Sequence, residues 1–389
     1  MKILLMALCM LATSAPAFAD DPSAATSVPA VPEAGTPRLL QELDALFLLQ
    51  DATARGRQDA AVLQKSLLLS IGENLGQNDK AQLDRFAPYI AGYVLSGGDP
   101  ATAATLANSD SLNPSHRQLL EGVALFMRGE RQESAKLLGA IEVSNLPARV
   151  AGRVALAQAL LEQDPVAKQR GLAIAAALMP GTLVEESAVR RSALAFAETA
   201  DGRQFWKRLD RYQRRFPHSL YARTFWEEVL SQLANWKSGG EAPDLTRLDL
   251  ILNDMPTSRR RQLYLHLARQ SSRADNVASA NFGASRAKRL ASAGSMEEHT
   301  ARLYLSLHAV ASEENDKSLA DLRAVNRNLL IAEDRVLLDA GLWIAQQISR
   351  PPDEGQSPLI EDPLPKSALQ TRAESLLADV DNMLTGRRS

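Results

Sequence analysis

Along this chain, apolar residues recur three or four positions apart from residue 37 almost to the end, and nowhere do they alternate with the period of two that marks a strand. The pattern predicts helices of about 10 to 20 residues joined by short turns. Four starts pair a capping residue with proline at the first helical position, where the missing N–H costs nothing: Thr36-Pro37, Asp99-Pro100, Asn113-Pro114 and Asp164-Pro165. Thr182 with Glu185 and Ser295 with Glu298 read as capping boxes. Stops fall at Gly97-Gly98, Gly129, Pro180-Gly181, Pro217 and Gly239-Gly240.

This rhythm is that of helical hairpins packed side by side. Ala268, Ala280 and Ala287 stand at the eighth, twentieth and twenty-seventh positions of a tetratricopeptide repeat, where small side chains let two helices approach closely, and Ala159, Gly171 and Ala175 repeat the spacing in part. An alanine-rich chain produces such matches by chance, so the spacing speaks for helical hairpins in general more than for that repeat. The fold class expected is all-α, with hairpins stacked into a tetratricopeptide-like superhelix. Residues 37–236 form an N-terminal repeat region and 244–349 a C-terminal one, with residues 237–243 between them. Residues 350–366 make a proline-rich loop, and 367–389 end the chain with a last amphipathic helix, drawn over 367–384, that caps the stack or docks back on it.

The N-terminus adds a compartment. Met1-Lys2 precede an apolar run from Ile3 to Ala12, which ends in Ala17-Phe18-Ala19 before Asp20. A basic start, a short apolar core and a small-x-small ending describe a secretory signal peptide, residues 1–19, cut after Ala19. The run is too short for a membrane anchor, which needs about 20 apolar residues. Residues 20–36, rich in Pro and Ala, read as a disordered tether. Cys9 is the single cysteine and lies inside the signal, so the mature chain holds no thiol, disulfide or thiolate metal site. The expected location is the periplasm, with no membrane span in the mature chain.

Composition excludes more than it selects. A net charge of -2 argues against nucleic acid as a partner. Charge is uneven, though: residues 190–290 carry about 19 Lys and Arg against about 10 Asp and Glu, and residues 313–381 about 7 against about 14. The five histidines, His116, His218, His266, His299 and His308, offer no pair at helical spacing, so no metal site is expected. No nucleophile elbow, phosphate-binding loop or dinucleotide fingerprint is present, and no cofactor is expected. Glu185-Glu186-Ser187 has the Glu-Ser pair of peptidoglycan-cleaving transglycosylases, but its place in a helix's first turn, where the dipole favours carboxylates, gives a structural reading. The chain therefore reads as a binding protein and not an enzyme.

One helix stands out as a surface. Phe205, Leu209, Tyr212 and Phe216 line one face, while Arg203, Lys207, Arg211 and Arg214 line the other, with Trp206 beside the basic stripe. Two readings stay open. Either the cations and an exposed Trp206 meet an acidic protein partner, or the face is merely solvated and Trp206 tucks into a neighbouring helix. Arg259-Arg260-Arg261 opens another helix against its dipole, which points to an external anion or an acidic partner. Tyr221, Phe225 and Trp226 read as core.

Several segments, taken in order, resemble those of the MotC family of periplasmic motility proteins, which accompany the flagellar motor in some bacteria. They are Leu48-Leu49-Gln50-Asp51, Ser96-Gly97-Gly98-Asp99-Pro100, Pro180-Gly181-Thr182-Leu183-Val184-Glu185-Glu186 followed by Arg190-Arg191-Ser192, then Arg214-Arg215-Phe216-Pro217-His218-Ser219, and Arg259-Arg260-Arg261 leading into Leu263-Tyr264-Leu265. The resemblance covers most of the chain and is faintest from Glu313 onward. It implies a part in flagellar rotation, with the periplasmic portion of MotB or another stator component as partner, and it carries over no catalytic residue. The rivals are a helical-repeat adaptor for envelope assembly or polysaccharide export, and a peptidoglycan hydrolase or its inactive relative.

Overall fold

The computed structural model describes residues 38–75, 83–199, 201–236, 243–310 and 315–348. The expected signal, tether, proline-rich loop and terminal helix, the Thr36-Pro37 start and the Gly239-Gly240 stop all lie outside these residues. Among the described residues every regular element is helical and none is a strand. The architecture is an all-α stack of helices, as the periodicity predicts.

In chain order the helices are α1 (Arg38–Ala54), α2 (Gln58–Leu75), α3 (Leu83–Leu95), α4 (Pro100–Ala107), α5 (Pro114–Arg128), α6 (Arg131–Gly139), α7 (Ala148–Leu161), α8 (Pro165–Leu178), α9 (Leu183–Glu198) and α10 (Gly202–Arg215). There follow α11 (Ala222–Ala234), α12 (Thr246–Leu252), α13 (Thr257–Arg273), α14 (Val277–Leu290), α15 (Met296–Ala309), α16 (Asn315–Arg323) and α17 (Ala332–Ile348). Most helices pack on the next in sequence, and several on the next but one: α3 on α5, α7 on α9, α11 on α13, α13 on α15 and α15 on α17. Packing of both kinds generates a stack, because each hairpin buries its second apolar stripe on its neighbour.

The starts are built as the sequence predicts. Asp99 accepts from the Ala101 amide, Asn113 from His116 and Asp164 from Ala167. In both capping boxes the carboxylate reaches one residue further back than the motif implies, Glu185 to the Gly181 N–H at 2.7 Å and Glu298 to the Gly294 N–H at 3.0 Å. Both glycines have a positive φ, which turns their amides toward the helix.

The small residues mark real close approaches. Ala268, Ala280 and Ala287 are fully buried, and a Cβ on neighbouring Gly283 would stand 2.7 Å from the Tyr264 carbonyl oxygen and 2.9 Å from the Ala268 nitrogen. Backbone of α13 thus touches backbone of α14. In the first half Gly171 meets Ala159 in the same way, its Cβ position 2.8 Å from the alanine methyl.

Several apolar clusters form the interior. One, from Leu39 to Leu161, fills α1–α7, and another runs from Ala54 and Val189 to Ala301. The second joins residues from both expected repeat regions, since Phe205, Phe225 and Trp226 share it with Leu248, Leu252 and Leu263.

Candidate functional site: a basic helix face over a buried carboxylate knot

Asp201 caps α10, its carboxylate accepting from the Gln204 amide at 3.1 Å. Phe205, Leu209 and Tyr212, with Phe216 just beyond the helix, are buried, as the spacing predicts. Trp206 requires a correction to the exposed-aromatic reading. It is only 5% exposed, its ring 5.0 Å from that of Phe205. Trp206 lies one helical step from Phe205, and burying an indole removes far more apolar area than its single N–H needs from solvent, so the flank of the apolar face turns inward.

The cations divide into two groups. Arg203 and Lys207 are exposed, with no ion pair among the described residues. Arg214, also exposed, pairs with Asp210 one turn back. Arg211 reaches inward, 2.6 Å from Glu185 and about two-fifths exposed. So the outer face of α10 offers charge without an aromatic anchor. The Arg259–Arg261 run is engaged internally. Arg261 pairs with Glu297 at 2.8 Å and donates to the Leu290 carbonyl, while Arg260 donates to Asn253. Arg259 is lowered by burial, against which Glu227 pulls the other way.

Beneath α10 lie Glu185 and Glu186, in the first turn of α9 and 1% and 0% exposed. Glu185 accepts from Gly181 N–H and from Arg211 and Arg215, both at 2.6 Å. Burial pushes its carboxyl up, but these three donors outweigh burial and hold it below the ordinary range. Glu186 accepts from the Tyr212 hydroxyl at 2.8 Å and Ser219 at 3.3 Å, and stands 3.3 Å from Arg190. Burial, then the charge of Glu186, drive the Tyr212 hydroxyl well above its usual value. Burial also pushes the Arg191 guanidinium down to about 10, so it stays charged at neutral pH.

A general acid of the transglycosylase kind needs a raised pKa and reach to a substrate. Glu186, the glutamate that precedes Ser187, has no exposed surface, and both carboxylates are enclosed by donors of their own chain. Their work is to fasten α9, α10 and the 216–219 turn together.

The knot extends to the first helix. Asp51 accepts from the Leu183 amide at 3.0 Å, across 132 positions of sequence. Its carboxyl is raised by burial, which prevails over that amide and over Arg153. Gln50 accepts from Arg153 at 3.0 Å and from Ser96, and donates to the Ser96 carbonyl at 3.1 Å. Arg153 lies over the Phe47 ring, 3.9 Å from its centroid, and burial pushes it down to about 10. The Leu220 amide donates to the Thr53 carbonyl at 3.2 Å, and Gly56, φ 91°, comes against His218 so closely that a Cβ would stand 2.5 Å from its carbonyl oxygen. Five segments distant in sequence, around residues 50, 96, 153, 183 and 216, therefore meet in one polar seam. Each residue type is ordinary where it stands, and no spacing in the sequence announces the meeting.

Among the described residues no three His, Cys, Asp or Glu side chains gather in a way that would hold a metal ion, and no helix is long and apolar enough to cross a membrane.

Such a molecule, its buried charges spent on fixing hairpins, is an all-α protein of stacked helices. A family model described as chemotaxis protein MotC matches residues 1–385, and the chain belongs to that family. The chemotaxis protein MotC of Rhizobium meliloti (strain 1021) is 30% identical over 326 residues, covering 80% of this chain and 72% of that protein. No solved structure matches the chain.

Proposed function

We propose that this chain is an exported accessory protein of flagellar motility, cut after Ala19, that works in the periplasm by gripping the stator, with the periplasmic part of MotB as its partner and no reaction of its own. Membership of the MotC family carries the reading toward motility. The structural support is the outer face of α10, where Arg203, Lys207 and Arg214 project from a helix fixed from below by Glu185 and Glu186. A cationic face on a rigid backing suits an acidic partner surface, and speeds association more than it adds affinity.

The test uses the purified mature chain with the periplasmic part of MotB. Binding should weaken as salt rises, and Arg203→Glu with Lys207→Glu should weaken it by at least tenfold at low salt while leaving thermal stability alone. Unchanged affinity in that double variant would remove α10 from the interface. A deletion strain should keep its filaments and lose swimming, and a strain that swims normally would end the proposal.

A further inference from the structure

The first helix is packed into its own stack. Besides α2, α1 contacts α3 and α9, and α7 and α9 carry α8 and α10 elsewhere on their surfaces. Phe47 lies so close to Gly92 of α3 that a Cβ there would stand 2.8 Å from its ring, and Arg153 of α7 lies over that ring. The acidic side chains of α1 meet α7 as well. Asp44 is 3.3 Å from Arg149, and Asp51 feels the charges of Arg153 and Arg149. In this half of the chain, then, basic side chains on α7 hold an acidic helix.

Further along, the comparable side of a helix is open. Gly283 of α14 touches Tyr264 and Ala268, which fixes the side of α13 that its hairpin partner covers. Arg259, His266, Arg269 and Arg273 fall at helical spacing on the opposite side and are half-buried or exposed. Their charges are not evenly matched. Toward α17, Arg269 pairs with Asp334 and Arg273 with Glu333. Toward α11, Arg223, Arg259 and His266 share one carboxylate among the described residues, Glu227, which stands 3.1 Å from Arg223. Burial lowers both Arg259 and His266, and the pull of Glu227 does not make up for it. A carboxylate brought from outside would therefore meet cations already held partly out of water, where attraction is least screened.

We propose that the open side of α13, where α11 borders it, is a docking surface for an acidic helix of another protein, whose carboxylates meet Arg223, Arg259 and His266 as Asp44 and Asp51 of α1 meet α7. This surface shares no residue with the outer face of α10, and it does not rest on the stator reading.

The test titrates the full chain at low salt with a labelled, alanine-based helical peptide of about 20 residues carrying glutamates along one face, followed by fluorescence anisotropy. Arg223→Gln with Arg259→Gln should weaken binding by roughly fivefold or more, with the circular dichroism spectrum unchanged. Glu227→Gln removes the competing carboxylate and should tighten binding severalfold. Arg203→Glu with Lys207→Glu, on α10, should leave it within about twofold of the unaltered chain. Absence of binding would overturn the proposal. So would equal binding of the same peptide with lysines for glutamates, or a loss confined to the α10 variant.

Discussion

At the scale of single residues, the polar interior decides most. Glu186 is wholly enclosed, and Tyr212, Ser219 and Arg190 are all arranged to receive its charge. Glu186→Ala leaves a buried guanidinium uncompensated and should cost about 3 kcal/mol or more. Urea denaturation would show this as a lower midpoint with unchanged slope. Tyr212→Phe deletes one donor only and should cost about 1 to 2 kcal/mol. Acid titration separates Glu185 from Asp51. The folded chain holds Glu185 below its ordinary 4.5, so its stabilising contribution is complete above that pH and drains away as pH falls through the lowered value. Glu185→Gln should destabilise at neutral pH and flatten the loss of stability below pH 4.5. Asp51 has the reverse sign. Its folded carboxyl lies above the ordinary 3.8, so its charge costs stability at neutral pH and the cost fades on acidification. Asp51→Asn, still able to accept from Leu183, should be neutral or stabilising at pH 7. A marked loss there would show that the charge itself is needed beside Arg153.

At the scale of helices, contact distance overrides propensity. Alanine is the better helix former than glycine by about 1 kcal/mol. At Gly139, where a Cβ meets nothing within 4 Å, Gly139→Ala should raise stability by up to that amount. At Gly283 the new methyl would strike the backbone of α13, which cannot rotate away, so Gly283→Ala should destabilise by about 1 to 3 kcal/mol. Thermal denaturation of the two variants tests the difference in sign. The same geometry explains what was readable beforehand. Helix starts at residues 99–100, 113–114, 164–165, 182 and 295 depend on local capping chemistry, and all five were legible. The turn at Gly56 was not read as a stop, because its positive φ serves an approach to His218 from a distant part of the chain.

At the scale of the whole molecule, the seam around Gln50, Asp51, Glu185 and Arg215 and the apolar cluster shared by Phe205, Phe225 and Leu263 tie early and late helices together. A proteolytic cut between Trp236 and Asp244 should therefore leave both pieces associated on gel filtration, and unfolding should remain a single transition. Two separable fragments would mean that the shared cluster contributes little.

Of the basic stripe, the face of α10 that carries it was legible from periodicity, but its accessible membership was not. Trp206 went inward, Arg211 was drawn to Glu185, and Arg203 and Lys207 were left to solvent. The sequence by itself determined the all-helical class and the boundaries that caps, prolines and glycines mark, because those signals act over a few positions. Only the tertiary structure decided which charges are neutralised inside and which remain to meet a partner. Those choices depend on polar groups up to 132 positions apart brought within about 3 Å, and no local pattern encodes such a meeting.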